Sequence, residues 1–116
     1  MPFTSDPSHE IDPQRVKEML DRGEAELIDV REQYEWEAGR IPGAKHIELE
    51  RLAARAEELP KDRPIVFQCR LGARSAMATE AFRASGYDAY NLTGGIAAWS
   101  DRGLPLDPQG GTVADH

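Results

Sequence analysis

Residues 64–86 read PIVFQCRLGARSAMATEAFRASG, and two changes of pattern inside this stretch decide the fold. Pro64 to Gln68 is β-branched and aromatic and carries no charge, the pattern of a strand buried on both faces. Cys69 to Arg74 follows as a loop containing Gly72. From Ser75 onward, Ala76, Ala78, Ala81, Phe82 and Ala84 make a helix that Gly86 terminates. Strand, short loop and helix form the repeating unit of a parallel α/β sheet, where ligands bind beyond the carboxyl ends of the strands. The chain's single cysteine stands at such an end.

The same alternation continues on both sides. Ala89 to Leu92 is another strand, and Gly94-Gly95 leads into a short helix with Ile96 and Trp99 that Gly103 ends. Toward the N-terminus, Leu49, Leu52, Ala53, Ala56 and Leu59 share one face of a helix over about 48–59, ended by Pro60, whose glutamates form a solvated face. Ile41-Pro42-Gly43-Ala44 is turn chemistry before a brief extended piece at His46-Ile47. Leu27 to Val30 reads as a short buried strand, followed by an acidic helix from Glu32 to Ala38. Asp12-Pro13 is an N-cap and N1 pair that starts a first helix over 13–22, with Val16, Met19 and Leu20 on its apolar face. Residues 1–9 and 107–116 lack such periodicity and are expected to be flexible tails around a single domain over 10–106.

Composition narrows the function. The 116 residues include 14 basic and 21 acidic side chains, a formal charge of −7, which argues against nucleic acid and anionic membrane surfaces as partners. One cysteine allows no intramolecular disulfide, and with no CxxC and only His9, His46 and His116 as imidazoles, neither a metal nor a cofactor is expected. No apolar run approaches the ~20 residues of a membrane span. The opening MPFTSDPSHE lacks the basic and apolar regions of an export signal, so a cytoplasmic location is expected.

Any anion site must therefore be local, and the Cys69 loop has the means to make one. A loop of about six residues running into a helix N-terminus can turn several backbone N–H groups toward one point, where the helix dipole adds to them. Arg70 and Arg74 bring positive charge to the same place. This setting favours a thiolate, and the expectation is an exposed nucleophile facing an anionic or electrophilic sulfur, phosphorus or arsenic centre. The plainer reading, a small buried residue at a strand end, describes most free cysteines, but the surrounding arginines, glycine and helix start weigh against it. Asp29 and Arg31 read as scaffold, with Arg31 expected to pair with Glu35 or Glu37. Trp36 and Trp99 are expected to cover the sheet, and His46 to sit at a strand end.

Four segments then stand in register: Asp29-Val30-Arg31-Glu32; Glu37 to Ala44 (EAGRIPGA) with His46-Ile47; Cys69 to Ser75 (CRLGARS); and Gly94-Gly95-Ile96 with Trp99. Together they resemble the rhodanese family across roughly residues 10–105. The resemblance implies a five-stranded parallel β-sheet flanked by α-helices on both faces. It implies a single-domain sulfurtransferase in which Cys69 is the catalytic nucleophile and carries sulfur as a persulfide. Arg70, Leu71, Gly72, Ala73 and Arg74 would bind the substrate, largely through their backbone. The donor is expected to be a small anionic sulfur compound, thiosulfate or a persulfide. With no second cysteine in the chain, the acceptor must be cyanide, a small thiol or a partner protein's cysteine. Arg40 departs from the family, which usually has histidine before Ile-Pro-Gly-Ala, and could add basic charge near a docking surface. Relatives with a loop one residue longer act on phosphate or arsenate, so a phosphatase or arsenate reductase is the alternative. A non-catalytic binding or regulatory domain is another, although inactive members typically lack the cysteine.

Overall fold

The computed structural model describes residues 6–116; residues 1–5 of the expected N-terminal tail lie outside the described residues. Among the described residues, five strands and five α-helices follow one another as β1 (Glu10–Ile11), α1 (Pro13–Asp21), β2 (Glu26–Asp29), α2 (Gln33–Ala38), β3 (Lys45–His46), α3 (Leu52–Arg55), β4 (Ile65–Gln68), α4 (Ala73–Ala84), β5 (Ala89–Leu92) and α5 (Gly95–Asp101). The strands form one parallel sheet in the order β1-β5-β4-β2-β3. From β2 the chain moves outward to β3, whereas from β4 it moves the other way to β5. The carboxyl ends of β2 and β4 thus flank the crevice where loops diverge, the usual ligand site of an open parallel sheet.

Alternation along the central strands divides the core in two. Ile28, Ile65, Phe67 and Ala89 face one side, packed with Leu52 and Leu59 and with Ala78 and Phe82 of α4. Leu27, Val66 and Leu92 face the other, against Val16 and Met19 of α1 and Ile96 and Trp99 of α5. Helices therefore cover both faces, as the resemblance implied. Alanines dominate α4 because it lies directly on β4 and β5, while the Phe82 ring meets those of Phe67 and Tyr87 at a tilt of 58°, with centroid distances of 5.0 and 4.8 Å. The Asp12 carboxylate caps α1 by accepting from the Arg15 amide at 2.9 Å.

Three parts of the fold go beyond or differ from the sequence reading. The fifth strand is Glu10–Ile11, two residues that pair with Asn91 and Leu92 and are too short for any pattern to reveal. The helix expected over 48–59 is α only across α3; residues 49–51 and 56–58 tighten into 3-10 turns, as short helices do at their ends. Residues 107–116, read as a tail from composition, make backbone bonds to residues 38 and 40, beginning with an antiparallel bridge between Arg40 and Asp107. The other expected tail contributes a short 3-10 turn over Pro7–His9, and His9 Nδ1 lies 2.6 Å from the Glu80 carboxylate.

Candidate active site

Cys69 leaves the end of β4 on the same face as Phe67, so its side chain turns inward under the first turn of α4. It is only 1% exposed, which corrects the expectation of an exposed thiol. The buried-residue reading is right about packing, since Cys69 belongs to the core beside Val30 and Ala78. It misses the polar ring around the sulfur. Sγ accepts from the Gly72 amide at 3.1 Å, the Ser75 hydroxyl at 3.3 Å and the Ser75 amide at 3.5 Å. Among the described residues, no acceptor is paired with the N–H groups of Arg70, Leu71, Ala73 or Arg74. The thiol forms the floor of a pocket of about 180 Å³ lined also by Arg70, Leu71, Ala73, Arg74 and His116. A sulfur among N–H donors at the head of a 12-residue helix is a place where negative charge is stabilised.

The loop owes its shape to two glycines. Gly72 has φ +106 and caps α4. Its carbonyl accepts the Ala76 amide at 3.0 Å and the Asn91 side-chain amide at 3.1 Å. A Cβ at Gly72 would meet nothing closer than 3.5 Å, so only the backbone conformation requires glycine there. Gly72→Val should therefore keep the sheet, with an unchanged far-UV dichroism spectrum. The strain of about 1–3 kcal/mol should fall on the cradle and cut the rate of Cys69 modification more than about tenfold. Gly95 is constrained by contact: a Cβ there would lie 2.4 Å from the Cys69 carbonyl oxygen. That carbonyl accepts from the Ile96 amide at 2.9 Å, and the Arg70 carbonyl from the Ala97 amide at 3.0 Å, so α5 clamps the loop from below.

The two arginines differ. Arg74 holds Glu35 with a bidentate fork at 2.8 and 3.0 Å. Glu35 is fully buried and also accepts the Glu32 amide at 3.0 Å. Arg31 was expected to pair with Glu35 or Glu37 but pairs with neither; it binds Asp29 at 2.7 Å and the Gly39 carbonyl at 2.9 Å. The reason is the sheet order, which sets the loop after β2 beside the loop after β4. Asp29 and Arg31 are indeed scaffold, as is Trp99, whose indole donates to the Pro105 carbonyl at 2.7 Å. Arg74 thus brings a partner with it and adds less net charge than its position implied, whereas Arg70 reaches only the exposed Asp115, at 3.2 Å.

Burial pushes the Glu35 carboxyl up, but the Arg74 guanidinium and the Glu32 amide outweigh it and hold the group below its ordinary value. On Arg74, burial opposes the charge, and Glu35 together with the Cys69 sulfur holds it in place. As pH falls, the unfolded chain takes up this proton before the folded one does, so stability must fall with it. The contribution is complete above the ordinary carboxylate value and is lost as pH drops through the lower folded value. Acid-unfolding curves should show that loss in the native protein and not in Glu35→Gln, which should already be about 2 kcal/mol less stable at neutral pH.

Ser75, Glu35, Asn91 and Gly95 were not singled out as site residues from the sequence. Ser75 and Gly95 lie inside the quoted motifs, six residues after the cysteine and at the head of the last helix, and that spacing was the available signal.

The chain has known relatives. The sequence profile of the Rhodanese-like domain family matches residues 12–102. A sulfurtransferase of Allochromatium vinosum is 39% identical over 100 residues, covering 84% of this chain and 94% of that protein. An HTH-type transcriptional regulator of Mycobacterium tuberculosis is 44% identical over 88 residues; the match spans 73% of this chain but only 38% of that longer protein. The crystal structure of a rhodanese-related protein from Thermoplasma volcanium superposes with a TM-score of 0.79 at 28% identity, covering 84% of this chain and 96% of that one. With this profile match, this fold and a cysteine loop between β4 and α4, the chain belongs to the rhodanese-like domain family, whose members include sulfurtransferases.

Proposed function

We propose that this protein is a sulfurtransferase that moves a sulfane sulfur from thiosulfate or a persulfide, through a persulfide on Cys69, to cyanide or a thiol. The observation that carries this reading is the ring of N–H and O–H donors around Sγ at the floor of a pocket opening beside Arg70. In the first step the Cys69 thiolate attacks the outer sulfur of thiosulfate; the S–S bond breaks and sulfite leaves with the bonding pair. The loop amides stabilise the charge that passes from sulfur to sulfur. In the second, cyanide or an acceptor thiolate attacks the terminal sulfur and the Cys69 thiolate departs, closing a ping-pong cycle. Leu71, Gly72 and Ala73 act through their backbone, Arg70 faces the anionic group, and Arg74 with Glu35 positions the loop. The free thiol suits the reducing cytoplasm. Among the described residues no helix is long and apolar enough to cross a membrane.

The test is intact mass. Incubation with thiosulfate should add one sulfur, and cyanide should remove it with formation of one thiocyanate. A thiol that is alkylated yet gains no sulfur from thiosulfate or a persulfide would overturn sulfur transfer and direct attention to phosphate esters and arsenate. A thiol that also resists alkylation in the folded protein would favour a binding or regulatory role instead.

A further inference from the structure

The chain after α5 does not leave the molecule but returns across the open end of the sheet toward Cys69. Its base is the bridge in which the Arg40 amide donates to the Asp107 carbonyl at 3.0 Å and the Asp107 amide to the Arg40 carbonyl at 2.7 Å. Thr112 then donates to the Ala38 carbonyl at 2.9 Å, passing so near Gly39 that a Cβ there would lie 2.4 Å from the Thr112 oxygen. Beyond this the Tyr34 hydroxyl donates to the Asp115 carbonyl at 3.1 Å, and the Asp115 carboxylate accepts from Arg70 at 3.2 Å. The His116 ring lies 3.2 Å from the Glu32 carboxylate and closes one side of the thiol pocket.

We propose that residues 112–116 form a strap over the mouth of the Cys69 pocket, with Asp115 as a specificity residue that competes with anionic substrates for Arg70. The proposal rests on the reading of this pocket as the substrate site. Of the two arginines flanking the thiol, Arg74 is bound by Glu35, which leaves Arg70 to receive an incoming anion. The Asp115 carboxylate already sits there, so an anion must displace it, whereas an uncharged reagent has no need of Arg70. The Asp115 side chain is 97% exposed, and an ion pair in water holds only weakly. The strap is therefore a competitor that opens readily, and its effect on selectivity is a few-fold.

Alkylation of Cys69 measures this directly. Iodoacetate is anionic and iodoacetamide is not, both lose iodide to the same thiolate, and the ratio of their rates cancels the reactivity of the thiol. Asp115→Asn should raise the iodoacetate-to-iodoacetamide ratio about threefold at low salt, with the gain shrinking at high salt. Tyr34→Phe changes no charge but removes the hydroxyl that holds the Asp115 carbonyl, and it should raise the ratio in the same direction. A rise in Asp115→Asn alone would mean a general field effect and overturn the strap; no rise in either would overturn the proposal entirely. The thiosulfate concentration giving half-maximal sulfur loading should fall in Asp115→Asn by a similar factor. If the ratio responds as expected while no sulfur is loaded, the strap stands and the sulfur-transfer reading fails.

Discussion

Cys69→Ser should gain no sulfur from thiosulfate and form thiocyanate at least about 1,000-fold more slowly than the native protein, since it has no covalent route left. The serine hydroxyl is similar in shape and can keep the Gly72 and Ser75 amides as partners, so the fold should be retained. Oxygen at this position stays protonated near neutral pH and is a poor nucleophile toward sulfur. Two readouts are needed, because a misfolded variant would also be inactive. Thermal unfolding should shift by only a few degrees, and intact mass after thiosulfate should be unchanged. Sulfur gained by a folded Cys69→Ser protein would show that the acceptor is not this residue, and the cradle around Sγ would then have no part in the chemistry.

The second large effect is expected at Gly95→Ala. The added methyl group would press on the carbonyl oxygens of Cys69 and Arg70 at 2.4 and 2.5 Å, backbone atoms that cannot swing aside. Both carbonyls are held by the first amides of α5, so relief would break the bonds that fix the cysteine loop to the sheet. Gly95 also has φ +61, which adds a backbone penalty of about 1 kcal/mol for alanine. Gly23→Ala separates the two costs, because Gly23 has φ +66 with nothing within 4 Å of its missing Cβ. Gly23→Ala should lose about 1 kcal/mol, and Gly95→Ala about 3 kcal/mol or more, lowering Tm by over about 10 °C with activity falling alongside. Equal losses in the two variants would mean that α5 does not clamp the loop.

The strands and helices that carry strong periodicity were legible from the residues alone. Leu27–Val30, Pro64–Gln68 and Ala89–Leu92 each correspond to a strand within one residue at either end, because buried parallel strands need continuous apolar runs. The Cys69 loop was legible because its glycine, its arginines and the helix after it are adjacent in sequence. What was not legible depends on distance along the chain. Glu35 meets Arg74 and Asn91 meets the Gly72 carbonyl only because the sheet order brings β2 and β5 to either side of β4. No local rule distinguishes Glu35 from the other glutamates around it, and Arg31 was an equally reasonable partner until the Asp29 carboxylate claimed it. Residues 107–116 look like a tail by composition, yet their order comes from backbone bonds to residues 38 and 40, which side-chain patterning does not encode.

The depth of the thiol also determines how this protein meets an oxidant. A disulfide between two copies requires their Cα atoms to approach within about 7 Å with the sulfurs in contact. With Sγ on the floor of a pocket of about 180 Å³ and overlain by the loop, two molecules cannot reach that geometry. The chain also holds no second cysteine to capture a sulfenic acid. Peroxide small enough to enter should therefore carry Cys69 up the ladder toward sulfinic acid without forming cross-linked dimers, and a persulfide on Cys69, if formed as proposed, would be shielded from exchange with a second copy. Non-reducing electrophoresis of air-aged protein should show a single band at the mass of one chain.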